Sequence, residues 1–85
     1  MKNLFKKFSY ESLEELCKEK EWRIPSSKEL MKYKGEMMHE WVWVNDEPTH
    51  DNADNTRKVL YSIRHNKTMQ VNGKFMENCI VIKGE

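Results

Sequence analysis

Acidic side chains and one imidazole crowd a single stretch of the chain, where Asp46, Glu47, His50, Asp51 and Asp54 all fall between positions 46 and 54. Oxygen ligands at that density suit a hard divalent cation, but the stretch lacks the central glycine and closing glutamate of an EF-hand loop. A solvated acidic loop is the expected reading. The borderline ligands His39, His50, His65, Cys17 and Cys79 fall at no spacing that a zinc site uses. Nucleophilic chemistry needs a Ser or Cys served by a nearby His and an orienting acid, and no G-x-S-x-G elbow is present. Gly35, Gly73 and Gly84 are the only glycines, too few and too scattered for a phosphate-cradling loop. Neither a catalytic set nor a cofactor is therefore expected.

Two other constellations suit binding rather than catalysis. Met37, Met38, Trp41 and Trp43 lie close together just before the acidic residues Asp46, Glu47, Asp51 and Asp54. Methionine adapts its shape and tryptophan supplies large contact area, so both are enriched in the cores of protein interfaces. These eight residues form the candidate protein-binding set, with core packing as the alternative role for the four apolar ones. Further on, Arg57, Lys58, Arg64, Lys67 and Lys74 surround Tyr61, a mixture of cations and an aromatic ring that could hold single-stranded nucleic acid. Lysines on edge strands also block aggregation. With 15 basic against 14 acidic side chains, the net charge of +1 lacks the bias of a dedicated nucleic-acid binder.

Eighty-five residues, 38% hydrophobic and 34% charged, make one domain with a modest core to which three Trp, three Tyr and three Phe contribute. The N-terminal residues 1–8 are charged and have no apolar run of signal-peptide length, and no segment approaches a membrane span, so a cytoplasmic location without membrane contact is expected. Cys17 falls in a helical pattern and Cys79 in a strand pattern. With neither a C-x-x-C motif nor a disulfide framework, two buried reduced thiols are expected.

The elements that must position these groups follow from spacing. Leu4, Phe5 and Phe8 suit a short strand or arm over residues 1–8. Tyr10, Leu13, Leu16 and Cys17 then recur at helical spacing to about Lys20, with Ser9 as N-cap and a competing Ser12/Glu15 capping box. Trp22 and Ile24 read as core anchors. Pro25 disfavours helix at Ile24, and Ser26 with Glu29 makes a capping box for a second helix over 27–34, ended by Gly35. Leu30 and Tyr33 or Lys34 mark its inward stripe. Trp41-Val42-Trp43-Val44 reads as a strand with both tryptophans on one face. Residues 46–56 are polar and form a surface loop. Residues 57–65 alternate as a half-buried strand, and His65, Asn66 and Lys67 turn the chain into a partner strand over 68–71. Asn72-Gly73 is a hairpin signal. Cys79-Ile80-Val81-Ile82 is apolar on both sides and is expected at the centre of a sheet. The expected fold is α+β: two N-terminal helices packed on a small antiparallel sheet of four to five strands, with the helical part at 9–35 and the strands at 40–84.

Leu16-Cys17, then Trp22-Arg23-Ile24-Pro25-Ser26-Ser27-Lys28-Glu29-Leu30, then an aromatic strand and a closing strand is an order of signals that resembles the Lcl C-terminal family of bacterial and phage domains. The resemblance implies a compact lectin-like fold, related in architecture to the formylglycine-generating enzyme group but without its catalysis. In place of that family's Tyr-Trp-Ser-Ser strand stands Trp41-Val42-Trp43-Val44. From the residues and the resemblance together, the expected function is a small non-enzymatic module, such as a phage- or mobile-element-encoded inhibitor, that occupies a surface of a larger host protein. Nucleic-acid binding by the basic and aromatic hairpin face is the alternative.

Overall fold

A computed structural model describes residues 2–4, 6–32, 41–48 and 56–83. The chain is α+β: among the described residues, two helices accompany six short strands arranged in two three-stranded antiparallel sheets. Helix α1 spans Tyr10–Lys20 and starts where Ser9, in extended conformation, accepts the Ser12 amide on its hydroxyl at 3.3 Å. Leu13 and Cys17, one turn apart, bury its inward face. Glu21 ends it in the left-handed region at φ 58°, its amide donating to the Cys17 carbonyl. Acidic Glu11 near the start and basic Lys18 and Lys20 near the end complement the helix dipole.

Strand β2 is Trp22–Arg23, and Ile24 and Pro25 after it are buried while Trp22 is half-buried. Helix α2, Ser27–Met31, opens with the expected capping box: the Ser26 hydroxyl accepts the Glu29 amide at 3.2 Å and the Glu29 carboxylate accepts the Ser26 amide at 3.1 Å. It closes at Lys32, three residues before the expected stop at Gly35, and Tyr33, Lys34 and Gly35 lie outside the described residues.

One sheet has the order β3-β4-β5, from Val42–Val44, Arg57–Ser62 and Lys67–Asn72. The other has the order β1-β6-β2, with β1 at Lys2–Asn3 and β6 at Ile80–Lys83. The apolar closing strand β6 is thus central in its sheet, as its sequence predicts. The single expected sheet is divided because Asn72-Gly73 does not fold the chain back on β5. Instead the chain leaves that sheet, runs beside Phe8, and pairs β6 with β1 and β2. A parallel bridge between Val42 and Asn78 joins the two sheets, and the Trp43 amide donates to the Asn78 carbonyl at 3.2 Å.

Strand alternation sorts the core into two clusters. Trp43, Leu60 and Val81 face Leu13 and Cys17 of α1. Val42, Val44, Val59, Tyr61 and Ile80 face Leu30 of α2. The helices therefore pack on opposite faces, and β4, expected to be half-buried, is apolar and covered on both sides from Val59 to Tyr61. Cys17 and Cys79 are free thiols, both buried in the α1 cluster.

Candidate functional site

The segment that leaves β5 builds the most distinctive surface. The Asn72 side chain accepts the Lys74 amide at 2.9 Å and the Asn72 carbonyl accepts the Phe75 amide at 3.1 Å, closing an Asx-type turn. Gly73 lies inside this turn without entering the left-handed region. It sits in close quarters: a Cβ there would be 3.0 Å from Lys58 Cγ, which would have to give by a few tenths of an ångström, and 3.4 Å from Tyr10 Cβ. Its amide donates to Thr56 O and its carbonyl accepts from Tyr10 N, each at 2.8 Å. Beyond the turn, Phe8 and Glu77 exchange both backbone hydrogen bonds at 2.9 and 3.0 Å. The loop is pinned at both ends, and at its apex Phe75 and Met76 stand 58% and 56% exposed.

A cavity of about 280 Å³ adjoins the turn, walled by Tyr10, Glu11 and Glu14 of α1 and by Lys58, Gly73 and Lys74. The Tyr10 ring is its fixed wall, packed edge-on against Trp43 at 5.5 Å, with the Lys58 ammonium 5.1 Å from the ring centre. Burial, with a smaller push from Glu14, raises the Tyr10 hydroxyl to about 12, so it stays protonated at neutral pH and serves as a hydrogen-bonding wall rather than a base. Cations and carboxylates share this cavity, which gives it no single charge preference.

The thiols are poorly placed for nucleophilic work. Burial pushes Cys79 up to about 12 and raises Cys17 as well, with Glu14 adding to the latter. The reactive thiolate is scarce at neutral pH in both cases. No group of three or more His, Cys, Asp or Glu that could hold a metal ion occurs among the described residues. No helix among them is long and apolar enough to cross a membrane.

Four members of the expected protein-binding set fall among the described residues. Trp43, a candidate for the binding surface with core packing as its alternative role, is 0% exposed and takes the core role, its indole N–H donating to Phe8 O at 2.8 Å. The correction has a simple cause, since β3 is covered on both faces and leaves a large ring nowhere to go but the core. Trp41 is half-buried against the same cluster. Asp46 is not a loose loop acid but an acceptor for Ser27, while Glu47 is exposed. Met37, Met38, Asp51 and Asp54 lie outside the described residues.

The nucleic-acid set is split. Tyr61, the ring expected to stack on bases, is buried under α2 and donates its hydroxyl to Asn66 at 2.9 Å. Arg64 and Lys67 belong to the far end of the β4–β5 hairpin from Arg57, Lys58 and Lys74, roughly 20 Å away by strand rise. Glu11 and Glu14 stand beside Lys58 and Lys74. Phosphate binding needs a continuous positive track, and this distribution interrupts it.

Phe75 and Met76 escape the sequence reading because they have neither helical nor strand periodicity. The available signal is an apolar pair directly after the Asn72-Gly73-Lys74 turn, where polar residues are the norm. No family model matches the chain, and no curated protein or solved structure is significantly similar to it.

Proposed function

We propose that this chain is a small, non-catalytic protein-binding module that docks on a larger protein through the Phe75–Met76 turn, acting as an inhibitor by occupying that protein's surface. One observation carries the reading: two large apolar side chains, consecutive in sequence, are exposed to solvent on a loop fixed at both ends by backbone hydrogen bonds. Scattered exposed apolar residues such as Met31 and Met69 are ordinary on any surface. An adjacent pair on a braced turn is different, because a preorganised loop avoids the ordering cost of binding. Aromatic and methionine side chains also suit the desolvated centre of an interface. Membership of the Lcl C-terminal family, resting on the Trp22 to Leu30 motif, is part of the same proposal.

A tagged pull-down from host lysate with mass spectrometry tests it. The wild-type chain should retain a specific partner that Phe75→Ser/Met76→Ser loses, while the thermal melt of the variant stays within a few degrees of wild type. Retention of the same partner by the double variant refutes the assignment of the turn.

A further inference from the structure

The residues bordering the turn define the chemistry of what it meets. Along 6–9 and 73–77, the two segments that Phe8 and Glu77 pair, the exposed charged side chains are Lys6, Lys7 and Lys74, all basic. The one acid there, Glu77, is partly buried. The antiparallel register puts Phe8 and Glu77 on one face, so alternation puts Lys7 on the other face with Met76. Lys6 is held 5.6 Å from the Phe8 ring centre. Lys7 and Lys74 therefore flank the apolar apex, while Lys6 stays with Phe8 and the carboxylates of Glu11 and Glu14 lie on the α1 side of Lys74.

We infer that the turn's partner is an acidic protein segment, one that offers apolar side chains to Phe75 and Met76 and carboxylates to Lys7 and Lys74. This rests on the proposed docking role of the turn and adds the charge of what docks. An anionic bilayer shares the charge, but the apolar payload argues against it. Phe and Met side chains together bury less hydrocarbon than one myristoyl chain, which itself gives only marginal membrane binding. Against protein, the same two side chains suffice as a hot spot, while the lysines at the border set specificity and on-rate.

The probe is a display library of random 12-residue peptides, selected on the wild-type chain and counter-selected on Phe75→Ser/Met76→Ser. Peptides that depend on the turn should be rich in Asp and Glu around an aromatic or aliphatic residue. Their binding should weaken roughly tenfold in Lys7→Glu/Lys74→Glu, and several-fold between about 50 and 300 mM NaCl, as screening of exposed charges requires. Lys18→Glu, on the exposed face of α1, should leave it unchanged. Turn-dependent peptides that are neutral or basic, or that ignore the lysine reversals, overturn this inference and leave the docking role standing. Absence of any turn-dependent peptide overturns both. So does partition of the wild-type chain, but not of Phe75→Ser/Met76→Ser, onto phosphatidylcholine vesicles with about 30% phosphatidylserine, because the turn would then be a lipid anchor.

Discussion

Asp46 holds the start of α2 from nineteen residues along the chain, its carboxylate accepting the Ser27 amide at 2.9 Å and the Ser27 hydroxyl at 2.5 Å. A helix spanning only Ser27–Met31 cannot sustain itself by propensity. It is held instead by Leu30 in the core, by the Ser26–Glu29 box, and by this contact from the residues after β3. Asp46→Ala should cost about 1–2 kcal/mol, as expected for losing hydrogen bonds to a charged acceptor at a helix start. Glu47→Ala, one residue on and exposed, should cost almost nothing. Urea melts of the two variants decide it, and equal effects would mean that the contact contributes nothing to stability.

Acid should expose a second brace on the same helix. Arg23 grips Glu29 with two hydrogen bonds of 2.8 and 2.7 Å, and that grip, reinforced by the Ser26 amide, holds the Glu29 carboxyl down at about 2 against an ordinary 4.5. A carboxyl lowered in the folded state binds fewer protons than its unfolded counterpart. Its stabilising contribution is complete above about 4.5 and drains away as pH falls toward 2. The pair is about a third or more exposed, so solvent screening keeps the effect small. Glu29→Gln should flatten the loss of stability between pH 5 and pH 2.5, measured as urea midpoints. An unchanged acid slope would show that other carboxylates dominate.

Glu21 is a site where the protein is held below its attainable stability. At φ 58° and ψ 35° it adopts the left-handed conformation that costs a non-glycine residue about 1 kcal/mol, and its side chain is exposed. Glu21→Gly should therefore raise the unfolding free energy by about 0.5–1 kcal/mol despite the greater freedom it gives the unfolded chain. Thermal unfolding followed by circular dichroism checks the sign, which is reversed if the Glu21 side chain makes a contact of greater value.

What could be read from sequence is what depends on near neighbours. Ser9 before α1, the Ser26/Glu29 box, the buried thiols at helical and strand positions, and the two-sided burial of Ile80 and Val81 each follow from residues within a few positions. The features that escape are set by distant partners. Nothing near Asp46 says that it will meet Ser27. Asn72-Gly73 reads locally as a hairpin, yet the glycine keeps out of the left-handed region and sits close against Lys58 and Tyr10 from distant parts of the chain. Glu21 stands where glycine or asparagine is the usual left-handed helix end, and the chain passes through it directly into β2. Trp43 is set by distant partners too: its burial comes from α1 covering one face of β3, which no residue near Trp43 announces.

Trp43 is consequently where core and interface readings make opposite forecasts. It is wholly buried, packs against Tyr10, and shares the Phe8 carbonyl with the Glu77 amide. Trp43→Ala should open a cavity costing about 3–5 kcal/mol, enough to unfold a domain of this size near physiological temperature. Trp43→Phe keeps most of the volume, and Phe8 O still receives the Glu77 amide at 3.0 Å, so no acceptor is orphaned. That variant should lose only about 1–2 kcal/mol. Because Phe75 and Met76 remain exposed in it, partner capture by Trp43→Phe should match wild type at temperatures where both are folded. A variant that melts as predicted but no longer captures its partner would return Trp43 to the binding surface and displace the turn.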